Sequence, residues 1–110
     1  MTNEELLKSY LDLIEEGYIT PSNAELFHKI LQMSETVLML TDSNLAVEMQ
    51  MSRTTVNRWR SGATAPMILM RRSVYTWLKK RTSLLIKKVE KSNLNIPTIS
   101  NKLTASQAET

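Results

Sequence analysis

Residues Asp42–Pro66 read DSNLAVEMQMSRTTVNRWRSGATAP, and the fold turns on this stretch. Thr41, Asp42 and Ser43 form a polar cap cluster, after which Leu45, Ala46 and Met49 fall on one side of a helix too short to stand alone. Ser52 then caps a second short helix that carries Val56 and Trp59 and stops at Ser61-Gly62. Two such helices joined by a tight turn pack across each other only if a small residue sits at the crossing and apolar residues lock the angle. Ala46 is the small residue, and Leu45, Met49, Met51, Val56 and Trp59 are the lock. The outer face of the second helix is left with Arg53, Thr54, Asn57 and Arg58. These side chains suit base edges, Arg pairing with the two acceptors of guanine, Asn with adenine and the Thr methyl with thymine.

The flanking segments are helical too. Thr2 and Glu5 have capping-box spacing, and Leu6, Leu7, Tyr10, Leu11, Leu13 and Ile14 recur at three- and four-residue intervals up to Gly17. The pattern predicts a first helix over 3–16. Thr20-Pro21 predicts the start of a second, over 21–39, with Leu26, Phe27, Ile30, Leu31, Ser34, Val37 and Leu38 on one face. After Pro66, Met70, Val74, Trp77, Leu78, Leu85 and Val89 share a face up to Lys91. Unbroken, that helix is about 40 Å long, wider than a small domain. Either it breaks near Thr82-Ser83 or its far half packs on another chain. Only two Gly and three Pro occur and no strand-like alternation is visible, so the expected class is all-α, a small helical bundle. The expected organisation is an acidic N-terminal helix in 1–20, a helix-turn-helix domain with a basic C-terminal helix in 21–91, and a flexible tail in 92–110, which is polar and contains Pro97.

The 110 residues allow one compact domain, and 42% hydrophobic with 23% charged residues is ordinary globular composition. No Cys is present, which excludes disulfide frameworks, thiol nucleophiles and iron–sulfur clusters. One His and almost no Gly leave neither a Ser-His-Asp set nor a phosphate-cradling loop, so no catalytic residues, no metal ligands and no cofactor are expected, and the chain is not expected to be an enzyme. No apolar run is long enough for a bilayer and the N-terminus is acidic, which predicts a cytoplasmic protein without a membrane partner. The net charge of +3 conceals polarity: residues 1–35, 36–65, 66–91 and 92–110 carry −5, +1, +7 and 0. Such asymmetry implies either a basic surface facing a polyanion or acidic and basic helices that neutralise each other by packing.

The pattern Leu45-Ala46, Met51-Ser52, Thr55-Val56, Trp59, Gly62 and Pro66 resembles the helix-turn-helix of the Cro/repressor-like (XRE-type) DNA-binding family, whose usual form is L-A-x-x-x-G-V-S-x-x-T-I-x-x-W-x-x-G-x-x-x-P. The resemblance implies a lambda-repressor-like bundle of four or five helices that binds duplex DNA, usually as a homodimer and most often as a transcriptional repressor. By position it places base contacts on Ser52, Arg53, Thr54, Asn57 and Arg58. Two residues depart from the family: Gln50 stands at the turn glycine, which requires a left-handed non-glycine residue at a cost of roughly 1 kcal/mol or another turn geometry. Asp42 stands where a phosphate-contacting Gln is frequent, so it reads as a cap, with Ser43 or Asn44 as the backbone contact.

The resulting expectation is a sequence-specific regulator that inserts helix 53–60 into the major groove of double-stranded DNA. Arg60 is expected near the DNA backbone, and Arg71, Lys79 and Lys80 are further candidate phosphate contacts. The basic run Lys79, Lys80, Arg81, Lys87, Lys88 and Lys91 has three readings: a phosphate track, the solvated face of a dimerisation helix, or a membrane-surface segment. The competing function is a protein-interaction module, such as an antitoxin or polymerase-associated adaptor, that engages a protein partner through helix 3–16 or helix 66–91.

Overall fold

A computed structural model describes residues 2–94, and these form five α-helices and no strand. They are α1 (Asn3–Ile19), α2 (Ala24–Val37), α3 (Asp42–Met49), α4 (Arg53–Ser61) and α5 (Ile68–Leu94). The protein is all-α. Among the described residues no helix is long and apolar enough to cross a membrane.

The helix boundaries follow their caps, with two differences from the sequence reading. Thr2 and Glu5 close the expected capping box of α1, but the helix runs through Gly17 to Ile19. Gly17 is no stop signal. A Cβ there would stand 2.7 Å from Cζ of Tyr75, so the missing side chain lets the α5 aromatic ring lie against the α1 backbone. The second helix starts three residues later than Thr20-Pro21 suggests, because Asn23 Oδ1 accepts from the Leu26 amide while Thr20 closes α1. Thr41 caps α3, Ser52 caps α4, and Gly62 closes α4 in the left-handed conformation.

α1 and α5 lie antiparallel, as the pairs Lys8–Glu90, Glu15–Lys79 and Tyr18–Arg72 show. This settles the length of α5, which is continuous through Thr82-Ser83. Thr82 is fully buried with its hydroxyl bonded to the Leu78 carbonyl, and the far half of the helix buries Ile86 against its own chain. Of the segment expected as a tail from residue 92, positions 92–94 continue α5, and the rest lies outside the described residues. α2 stands between the α1/α5 pair and the α3/α4 pair. Its Phe27 is the hinge of the core, edge-on to Trp59 of α4 at 6.0 Å and to Tyr75 of α5 at 5.7 Å. Leu7, Tyr10 and Ile14 of the acidic helix belong to the same core as Ile30, Val56, Val74 and Leu78. Fully burying side chains of this size contributes roughly 1.5–3 kcal/mol each, which makes α1 a structural member of the bundle.

Candidate nucleic-acid interface

The α3–turn–α4 unit is closed by backbone geometry. Gln50 takes φ 56° and ψ 48°, its amide bonding to the carbonyls of Ala46 and Val47, and the Met51 amide returns 3.0 Å to the Ala46 carbonyl. Of the two geometries open to a turn without glycine, the left-handed one is adopted, and the orphan carbonyls of Ala46 and Val47 at the end of α3 are satisfied. Ala46 and Leu45 are buried at the crossing, opposite Val56 and Trp59 of α4. The remaining face of α4 is open, and Arg53, Thr54, Asn57 and Arg58 are all exposed on it. No acid occurs in α4.

Ser52 is exposed, but its Oγ serves the helix, accepting from the Thr55 amide at 3.1 Å and lying 2.8 Å from Thr55 Oγ1. Ser43 Oγ accepts from Arg53 Nη1 at a long 3.4 Å, which leans Arg53 toward the start of α3. Asn44 closes a capping box, its Oδ1 accepting from Thr41. Its amide group is exposed beside Arg81 of α5. Arg81 of the basic run thus borders the same groove as Asn44, Val47 and Glu48 of α3, a placement that the spacing of the run does not reveal.

Two expected phosphate contacts, Arg60 and Arg71, are corrected. Arg60 is buried at 7% exposure and turned inward. Its Nε donates to the Leu31 carbonyl at 3.1 Å, Nη2 to Ser34 Oγ at 2.7 Å and the Leu40 carbonyl at 2.6 Å, and Nη1 to Asp42 Oδ1 at 2.5 Å. That guanidinium locks α4 onto α2 and α3 and cannot reach a phosphate. Arg71 is half-buried and donates to the carbonyls of Pro66 and Pro21, both at 2.8 Å, tying the start of α5 to the α1–α2 turn. Lys79 faces α1 and pairs with Glu15 at 3.2 Å. Lys80 is exposed on α5.

Asp42 also differs from its sequence reading. It is not the cap, which is Thr41, but the first residue of α3. One carboxylate oxygen takes Arg60 and the other accepts from Asn57 Nδ2 at 3.1 Å. Burial raises the carboxyl pKa, but the hydrogen bonds from Asn57 and Arg60 and the charges of Arg60 and Arg53 outweigh it, so Asp42 titrates below the usual carboxylate range. Because a carboxylate only accepts, Asn57 must turn its NH₂ inward, leaving Oδ1 and its second N–H free. Asn57 Oδ1 and this second N–H are the kind of acceptor–donor pair that can bond an adenine edge.

Two α2 side chains complete the support of α4. His28 Nδ1 lies 2.6 Å from the Trp59 carbonyl and Gln32 Nε2 donates to the Arg60 carbonyl at 2.8 Å, filling acceptors that the end of α4 would otherwise leave open. No family model, curated protein or solved structure matches the chain.

Proposed function

We propose that the protein binds double-stranded DNA with sequence preference, laying α4 in the major groove, and acts as a non-enzymatic transcriptional regulator. The observation that carries this reading is the two-sidedness of α4. One side, Val56, Trp59 and Arg60, is locked into the core, while the other presents Arg53, Thr54, Asn57 and Arg58 without a neighbouring uncompensated acid. The resemblance of the 45–66 pattern to Cro/repressor-like proteins supports the same reading. Arg53, Asn57 and Arg58 read bases, Thr54 meets a thymine methyl or phosphate, and Ser43, Asn44 and Ser52 stand where the helix starts approach the backbone. One helix of this length buries little surface, so useful specificity requires two copies on half-sites about one helical turn apart.

Selection of bound duplexes from a random pool tests the proposal. A two-fold symmetric consensus is expected, and Asn57→Ala and Arg58→Ala should each flatten preference at one position per half-site. If both variants keep the parent's preference, α4 is not the reading element. If no duplex is bound at low salt, DNA binding itself is refuted.

A further inference from the structure

We infer that Arg81 of α5 holds a backbone phosphate of the duplex outside the base pairs that α4 reads, so that the binding surface extends onto a third helix. The inference rests on the DNA-binding reading of α4 and deepens it.

The polar surface of α4 continues past its own first turn. Arg53 Nη1 donates to Ser43 Oγ at 3.4 Å, and Ser43 and Asn44 are exposed at the start of α3. Asn44 in turn shares a groove of about 270 Å³ with Arg81, between Met39, Leu40, Val47 and Glu48. Exposed polar groups thus run from Arg53 through Ser43 and Asn44 to Arg81, linking α4 to α5 across the start of α3. A surface that lays α4 in the major groove brings the start of α3 to the sugar–phosphate backbone, and Arg81 stands on the far side of that start from α4.

The other arginines and lysines near the bundle seam are committed elsewhere. Arg60 is spent inside the core, Arg71 on two backbone carbonyls, Arg72 on the Tyr18 ring and Lys79 on Glu15. Arg81 is exposed and makes no hydrogen bond or ion pair among the described residues, so the whole planar fork of its guanidinium is open to a phosphate. Lys88 lies on the same side of α5 but about 10 Å further along the axis, in a groove that no α3 residue lines. Glu48 is the one acid of the Arg81 groove and stands a turn beyond Asn44. Its charge repels an anion from that end and confines the phosphate to the Asn44 end.

A phosphate contact reads no base, which separates it from the contacts of α4. The full chain should be titrated onto a fluorescent duplex recovered from the random pool, between 50 and 200 mM salt. Arg81→Gln should lower the log–log salt slope by about 0.9, so that its deficit against the parent shrinks about 3.5-fold across that range, with the base preference unchanged. Lys87→Gln removes the same charge six residues on and about 120° round the helix, and should leave the slope nearly as it is. Ethylation of single phosphates should reveal, with the parent chain, an interfering phosphate outside the consensus, a readout that needs no variant to fold. That interference should vanish with Arg81→Gln. An unchanged slope in Arg81→Gln, an equal loss in Lys87→Gln, or interference confined to the consensus overturns the inference while duplex binding itself stands. A parent chain that binds no duplex at low salt refutes the DNA-binding proposal, and this inference with it.

Discussion

Replacing Arg60 probes the interface through its support. Arg60→Met keeps much of the volume but strips the partners from the Leu31 and Leu40 carbonyls and from Asp42. Breaking a buried ion pair from one side costs about 3–5 kcal/mol, and here the lower half applies because the Asp42 side chain retains 29% exposure and can recover water. A loss of about 3 kcal/mol in a domain of this size lowers the melting temperature by roughly 12–24 °C. Asp42→Ala should cost less, because Arg60 keeps three neutral acceptors, and the double variant should lose about 1–3 kcal/mol less than the sum. The coupling should also depend on pH. Asp42 titrates lower when folded than unfolded, so its contribution is full above the ordinary carboxylate range, about pH 4, and fades as pH falls through the lower folded value. Urea titrations followed by the helical circular dichroism signal, at neutral pH and in acid, measure all of these quantities. Additive single variants, or a coupling that survives acid, would refute the network as the lock. On DNA, a folded Arg60→Met should retain the parent's salt dependence, since no phosphate contact is removed.

Further outcomes follow from single positions. Gly17→Ala should destabilise by about 1–3 kcal/mol, because its Cβ would stand 2.7 Å from Tyr75 Cζ, and Tyr75→Leu should relieve part of that loss. Thermal melts of the single and double variants decide it, and an unchanged melting temperature in Gly17→Ala contradicts the close approach. Gln50→Gly should stabilise by up to about 1 kcal/mol, since the residue at φ 56° then carries no left-handed penalty. A destabilised Gln50→Gly would mean that the turn is not under strain. If Arg58 also touches a phosphate, Arg58→Ala should reduce the log–log salt slope of duplex binding by about 0.9, whereas a contact to bases alone leaves the slope and changes only the preference.

What was legible in the sequence was local. Thr2, Thr41 and Ser52 announce their helices because a cap acts on an amide three residues away, and Gly62 ends α4 just as locally, by turning left-handed and donating its amide to the Arg58 carbonyl. Gly17 and Thr20-Pro21 misled because their meaning lies elsewhere in the fold. Gly17 answers to Tyr75, and Pro21 offers its carbonyl to Arg71 from fifty positions away. The length of α5 was open until α1 was laid along it, since charge pairing between those helices could be expected but not its antiparallel register.

Arg60 is the instructive case, because the signal for its burial was present. It follows Val56 by four positions and Trp59 by one, so helical periodicity sets it on the inward side, whereas its charge argues for solvent. Charge wins when a buried cation finds no acceptors. Here two backbone carbonyls, a serine hydroxyl and a carboxylate converge on the guanidinium, and none of them is less than 18 residues away in sequence. The same carboxylate orients Asn57, so the inward and outward faces of α4 are joined through Asp42. A residue set aside as a phosphate contact for its repulsive charge thus becomes the one that anchors Asn57 on the proposed interface. Asp42→Asn should therefore loosen preference at the Asn57 position before it lowers affinity elsewhere, and a selection that returned the parent consensus unchanged would show that Asn57 needs no such anchor.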